Sequence, residues 1–159
     1  MTLKIAIRKA KRNDLDHIVA LWKDFSDFHS QLDPHFSRSP RGHVNFKKFA
    51  SEKMRSRTSL VLVATMNGRA VGYLIASIIK YPPVFKEKKC GFIFDLMVHR
   101  DFRRIGVGSK LFSEARNWFI RKKINRIELS VAATNPLATA FWEKMGFKTY
   151  MERKYMRLR

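Results

Sequence analysis

Apolar positions in this chain fall into two periods. Ile5 and Ile7 alternate with polar neighbours and predict a short first strand. Leu15, Ile18, Val19, Trp22 and Phe25 return at three- and four-residue intervals and predict a helix. Asn13 or Asp14 is placed to cap it, with Asp16 favourably sited in its first turn. Residues 29–43 hold His29, His35 and His43, two prolines and Gly42, which reads as a loop or a broken helix. Val44 to Met54 follows as a second helix with Phe46, Phe49 and Ala50 inward. Ser59 to Thr65 is a run of Val and Leu that suits a buried strand. Asn67-Gly68 is a tight-hairpin signal, because both central positions of that turn need positive φ. Ala70 to Ile79 returns as a strand, in which Gly72 is a candidate bulge, and Gly91 to Val98 makes a third strand of the meander.

The second half alternates strand and helix. A helix with Val107, Leu111, Ala115, Trp118 and Phe119 on one side precedes an alternating strand, Arg126 to Val131. Asn135-Pro136 opens a further helix as a cap followed by first-turn proline, and Gly146 ends it. Phe147 to Arg159 alternates aromatic and Met residues with polar ones and predicts one or two final strands. The sum is a mixed α/β or α+β layer fold. No repeat, low-complexity stretch or linker divides the 159 residues, so a single domain, 1–159, is expected.

Composition narrows the function. Hydrophobic types make up 45% of the chain, too many for a disordered one. Lys+Arg number 33 against 13 Asp+Glu, a formal net charge of +20, which favours anionic partners: nucleotides, nucleic acid or acidic surfaces. The bases are dispersed rather than gathered into a tail. One cysteine, Cys90, rules out an internal disulfide and argues against a thiolate zinc site, which fits a reducing cytoplasm. The N-terminal Met1 to Arg8 has no signal-peptide core, and the longest nearly apolar stretch, Ala70 to Ile79, is about half a membrane span. A soluble cytoplasmic protein with no membrane contact is expected. The histidine spacings of six and eight residues fit no compact helical metal site, so no metal is expected.

The segment that carries chemistry is strand, then Arg103-Arg104-Ile105-Gly106-Val107-Gly108, then helix. Glycines at a strand-to-helix turn let the backbone approach a ligand. The first turn of a helix has unpaired N–H groups and a partial positive charge, which suits phosphate. Arg103 and Arg104 add full charges. No Gly-Lys-Ser/Thr follows at Walker spacing, and the dinucleotide Gly-x-Gly-x-x-Gly pattern is absent. A pyrophosphate-binding turn is one reading of these residues; tight helix packing at Gly106 and Gly108 is the other.

Leu96-Met97-Val98, with Arg103, Gly106 and Gly108 following, resembles the acyl-coenzyme A signature of the GCN5-related N-acetyltransferase (GNAT) superfamily. Asn135, Ala138, Phe141, Trp142 and Gly146-Phe147 are similar to its Asn-x-x-Ala-x-x-Phe-Tyr-x-x-x-Gly-Phe segment, and the element order agrees over nearly the whole chain. The resemblance implies a single mixed, mostly antiparallel sheet with splayed parallel strands and about four flanking helices. It implies transfer of an acetyl group from acetyl-coenzyme A (acetyl-CoA), as co-substrate, to a primary amine of a small molecule or a protein. It places the pyrophosphate on the amides of Arg104, Ile105, Gly106, Val107, Gly108 and Ser109, beside Arg103. It puts the pantetheine arm along the Met97 and Val98 backbone, whose amides would also polarise the thioester carbonyl. Asn135, Ala138 and Phe141 would line the arm, and His29, Asp33 and Phe36 would border the acceptor pocket.

The chain departs from the family where the proton moves. Trp142 stands where a Tyr general acid is common, and Phe92 or Ile93 where a Glu is common. Asp95 is the carboxylate left in that strand and is the expected general base, acting directly or through water. Tyr150 and Tyr155 are the candidate replacements for the acid. Another class stays open at this point: a non-catalytic GNAT-like module that binds acyl-coenzyme A or RNA. Nucleic-acid or ribosome contact follows from the charge, and a homodimer from the habit of the family.

Overall fold

In the computed structural model of the protein, residues 4–159 are described; Met1–Leu3, the start of the N-terminal segment considered above, lie outside them. The chain runs β1 (Ile5–Lys9), α1 (Leu15–Leu32), α2 (Gly42–Arg55), β2 (Ser59–Met66), β3 (Arg69–Lys80), β4 (Lys89–Val98), α3 (Val107–Arg121), β5 (Ile127–Leu129) and α4 (Pro136–Lys144). The strands form one sheet in the order β1-β2-β3-β4-β5, antiparallel throughout except for the parallel β4–β5 pair. That is the mixed, mostly antiparallel sheet expected from the sequence.

Local sequence explains the joints. The β2–β3 turn has Asn67 at φ 50° and Gly68 at φ 77°, the left-handed pair that an Asn-Gly hairpin requires. The β2–β3 register slips between Ala64 and Thr65, leaving Val71 as the extra residue, so the bulge falls beside Gly72 rather than on it. Asp14 does not cap α1 with its side chain. Its carboxylate instead accepts the Lys11 amide at 2.7 Å and both terminal nitrogens of Arg8, at 2.7 and 2.9 Å, which ties β1 to the start of α1.

Each sheet face carries its own core. Alternation along β2 and β3 sends Leu60, Leu62 and Leu74 to the side covered by α3, with Leu111, Ala115 and Phe119. Val61, Tyr73 and Ile75 go to the side covered by α1 and α2, with Leu15, Ile18 and Phe46. The two layers differ in chemistry. Trp142 and Phe147 pack onto the α3 side, whereas Trp22 stacks on Phe46 at 4.6 Å on the other.

Two expectations are corrected. No strand forms over Phe147–Arg159, and β5 has three residues instead of spanning Arg126 to Val131. Phe147 packs into the core, but the residues after it are exposed. Bases at 148, 153, 154, 157 and 159 leave this segment no apolar side to lay on the sheet. Tyr150 alone is tied back, through its hydroxyl to Glu128 and its ring under the Arg126 guanidinium at 4.6 Å.

Candidate active site

β4 and β5 are paired only from Gly91↔Ile127 to Ile93↔Leu129, while β4 continues to Val98. Beyond Ile93 the strands part. The parting coincides with a bulge: Ala76 pairs with Ile93 and Ile75 with Asp95, so Phe94 is the extra residue in β4. An inserted residue shifts which side chains face which layer. It also shifts which main-chain groups face β3. His99 donates its N–H to the Val71 carbonyl at 2.8 Å, so by two-residue alternation Met97 and Asp95 point their backbone at β3. The backbone of Leu96 and Val98 faces the gap. Of the two residues expected to serve the thioester, Val98 is therefore the one turned toward the gap. Met97 pairs with Tyr73, and its side chain is buried against α1 and α2.

The glycine turn sits at the open end of β4. Gly106 has φ 89° and ψ 5°, a left-handed geometry suited to glycine, and a Cβ built on it would meet nothing within 4 Å. Arg104 is also left-handed, at φ 65°. Among main-chain bonds, none leaves the amides of Arg104 through Ser109; the first donor in the helix is Lys110, to the Gly106 carbonyl at 3.0 Å. These N–H groups are gathered at the positive end of α3, which is the arrangement an anion needs. Val107 and Leu111, both buried, anchor the helix start against the sheet. Arg103 braces the turn: its Nε donates to the Val98 carbonyl at 3.0 Å. Gly108 has a different role from Gly106. A Cβ there would lie 3.3 Å from the Phe141 ring and 3.6 Å from Leu96, so this glycine lets α4 close on α3 and β4.

A narrow cavity fills the gap between the strands. Ile93, Phe94 and Leu96 of β4, Leu129 with Ser130 to Ala132 after it, Asn135, Ala138 and Trp142, and Phe25 and His29 of α1 line it. Asn135 is buried; its Oδ1 accepts the Ala138 amide at 3.2 Å, capping α4 and leaving the side-chain NH2 as the group free to donate. Trp142 meets Phe112, Phe141 and Phe147 edge to face. A wider, open depression between α1 and α2, bordered by Arg12, Asp16, Lys47 and Lys48, contains none of the residues expected to serve catalysis, the coenzyme or the acceptor.

Asp95 does not line the cavity. Past the bulge its carboxylate lies on the α1 side of the sheet and accepts the Tyr73 hydroxyl at 3.1 Å. Burial pushes this carboxyl up to about 6; the Tyr73 bond and the nearby His29 pull the other way. Burial likewise raises Tyr73 far above the ordinary phenol, with the Asp95 charge adding to it.

The residues expected at the acceptor side separate. His29 and Phe36 pack edge to face, 5.9 Å apart, while Asp33 is spent on local structure, its Oδ1 accepting the His35 amide at 2.9 Å. The candidate acids stand away from the cavity. Tyr150 donates to Glu128, which raises its pKa, and Tyr155 is 81% exposed. Cys90 is buried, and burial raises its thiol too, which makes it a poor nucleophile. Sequence reasoning missed Phe25 and Phe94, the aromatic walls of the cavity, and Glu128, whose carboxylate accepts hydrogen bonds from the hydroxyls of both Tyr81 and Tyr150. The four-residue step from Phe25 to His29 was the available signal for the first. Among the described residues no group of His, Cys, Asp or Glu is arranged to hold a metal, and no helix is long and apolar enough to cross a membrane.

A parted strand pair with an amide-rich helix start at its mouth defines a fold built to hold an extended ligand with an anionic end. The model of the Acetyltransferase (GNAT) family matches residues 6–147, and the chain belongs to that family. An uncharacterized N-acetyltransferase of Archaeoglobus fulgidus is 29% identical over 142 residues, covering 89% of this chain and 92% of that one. Among solved structures, a mutant of the BH1408 protein of Bacillus halodurans superposes with a TM-score of 0.87 at 22% identity, over 96% of this chain and 99% of that one. The aminoglycoside N-acetyltransferase AAC(6')-Iy, solved in complex with CoA, superposes with a TM-score of 0.76 at 20% identity, over 100% and 97% of the two chains. These structural likenesses are likenesses of fold.

Proposed function

We propose that the protein, as one domain, transfers an acetyl group from acetyl-CoA to a primary amine. The observation that carries this reading is the run of unpartnered amides from Arg104 to Ser109 at the mouth of the β4–β5 gap. The diphosphate lies on these amides, with Arg103 and Arg104 beside it. The pantetheine arm enters the gap and pairs with the outward main-chain groups of Leu96 and Val98, as an added strand would. Asn135 donates its side-chain NH2 to the arm, and Ala138 and Phe141 wall it.

The amine nitrogen attacks the acyl carbon, the C–N bond forms, and the C–S bond breaks with its electron pair leaving on sulfur. An outward amide of β4 stabilises the carbonyl oxygen as charge develops on it. The thiolate is a good leaving group, so no acid at the Trp142 position is required. The attacking amine must shed a proton, because an alkyl ammonium with a pKa near 10 is mostly protonated at neutral pH. Asp95 accepts that charge indirectly, since it lies behind the cavity wall. The acceptor is a small amine or a protein amine.

The test is thiol release from acetyl-CoA in the presence of a panel of amines and peptides. Release that depends on both partners supports the reading. Acetyl-CoA that binds the glycine turn, yet is never turned over by any amine, would replace it with a non-catalytic binding module.

A further inference from the structure

Among the described residues, one ionisable side chain lines the gap between β4 and β5, and it is His29. It projects from α1 on the same side of the sheet as Tyr73 and Asp95. Its Nδ1 lies 2.9 Å from the Phe25 carbonyl oxygen, one helical turn back. A carbonyl only accepts, so Nδ1 carries the proton of the neutral ring and Nε2 keeps its lone pair. Nδ1 is held against the backbone of α1, which leaves Nε2 as the ring nitrogen free to serve the cavity that His29 lines. The ring has little freedom to turn. It lies 4.2 Å from the Phe25 ring and meets Phe28 and Phe36 edge to face, at 5.6 and 5.9 Å.

Resting on the acetyl-transfer reading, we propose that His29 Nε2 is the group that takes the proton from the acceptor amine, with the Asp95 carboxylate, on the same side of the sheet, balancing the charge that forms. The amine lone pair makes the C–N bond, the C–S pair leaves on sulfur, and the N–H proton passes to Nε2. The imidazolium then returns its proton to solvent. The Phe25 carbonyl fixes the tautomer, and Tyr73 holds Asp95 from behind at 3.1 Å. Asp95 and His29 lie on the same side of the sheet, and a carboxylate there favours the imidazolium formed after proton transfer. The other titratable groups around the ring are few. His35 packs on Phe36 from the turn after α1, and Asp33 is occupied by the His35 amide. From α2, Lys53 lies 4.9 Å over the Phe94 ring. No charged side chain from β5 or α4 lines the cavity.

The alternative role for His29 is packing within the aromatic cluster. Two measurements separate the roles. The first needs no turnover: nitrogen-15 NMR of the imidazoles in the wild-type protein, with His29 assigned through His29→Gln. The proposal expects the neutral ring to carry its proton on Nδ1; a proton on Nε2 overturns it. The second uses an amine that the panel shows to be turned over. His29→Ala should cut kcat by about 100-fold or more, the usual scale for a general base. It should leave the acetyl-CoA Kd within about twofold, remove the acidic limb of the pH profile and regain rate with added imidazole. An unchanged kcat, or a loss confined to KM with no imidazole rescue, overturns the proposal. Should the Ala variant fail to fold, His29→Gln gives the same comparison of kcat and pH profile. Failure of the acetyl-transfer reading is recognised separately, as wild-type protein that binds acetyl-CoA and turns over no amine.

Discussion

Replacing Gly106 by Ala tests the anion cradle with little steric interference. Gly106 has φ 89°, and a Cβ there would meet nothing within 4 Å, so the change adds backbone strain and no collision. A non-glycine residue in the left-handed region costs about 1–2 kcal/mol. That cost has two places to appear. If the turn keeps its shape, the folded protein loses the whole amount. At about 2–4 °C per kcal/mol for a chain of this size, Tm then falls by roughly 2–8 °C. If the unliganded turn relaxes instead, the amides from Arg104 to Ser109 lose their alignment and the ligand must restore it. The acetyl-CoA Kd then rises by roughly 5- to 30-fold, since about 1.4 kcal/mol is tenfold.

Gly68 is the matched control. It has φ 77°, its Cβ also meets nothing within 4 Å, and it sits at the β2–β3 turn, outside the cavity. Gly68→Ala should lower Tm by a similar amount and leave Kd unchanged. Calorimetric titration with acetyl-CoA and thermal melts of the three proteins give every quantity needed. A Gly106→Ala protein with wild-type Tm and wild-type Kd would refute the reasoning. Equal Kd effects at Gly68 and Gly106 would show that the cradle is not at this turn.

Other perturbations have signs fixed by the structure. Asp95→Asn should slow turnover yet stabilise the fold above pH 6. The buried carboxyl titrates at about 6 against an ordinary 3.8, so wild-type stability falls as pH rises between these values. The Asn variant escapes a loss of order 2–3 kcal/mol, measurable as a difference in urea unfolding between pH 4 and pH 7.5. Asp14→Asn should act the other way. The Arg8 hydrogen bonds hold this carboxyl below its ordinary value, so its contribution is present above about pH 4 and lost as pH falls through the lowered value. Removing it costs about 1–3 kcal/mol at pH 7, and the wild-type advantage should vanish in acid. Gly91→Ala would place a Cβ 2.5 Å from the buried Phe119 ring, so an overpacking loss of about 1–3 kcal/mol in urea unfolding is expected.

Much of the candidate site's local geometry was legible because its determinants are local. Gly106 is required by its own φ, and Asn135-Pro136 caps α4 through a bond three residues away, so both announce themselves in a short window. The meander was legible through Asn67-Gly68 for the same reason. What escaped depends on a single inserted residue. The bulge at Phe94 breaks the two-residue alternation of β4, so the resemblance, which placed both Met97 and Val98 along the arm, did not separate them, and nothing hinted that Asp95 backs onto Tyr73. The C-terminal strands were over-read. Alternation in Phe147 to Arg159 is a necessary pattern for a strand but does not supply a partner, and the bases there favour water. Glu128 was missed because its two phenolic partners, Tyr81 and Tyr150, lie 47 and 22 residues away in the chain.

The same bulge accounts for where the proposed chemistry sits. It falls where β4 and β5 part, so the main-chain groups of Leu96 and the Val98 N–H are left facing a gap instead of a neighbouring strand, while the Val98 carbonyl accepts the Arg103 Nε. The residue after it, Asp95, is turned toward α1 and into low-dielectric surroundings. A carboxylate there is costly in the folded state, and burial raises it to about 6. A sheet selected for stability alone would place an apolar residue between Phe94 and Leu96. The carboxylate satisfies the buried Tyr73 hydroxyl, and in the proposed reaction it also balances a positive charge that forms nearby. His29 is the side chain in the cavity able to acquire one. The burial of Asp95 follows from the bulge and the tautomer of His29 from the Phe25 carbonyl; on the proposed reading, abolishing either should leave a stable protein that still grips its coenzyme but reacts slowly.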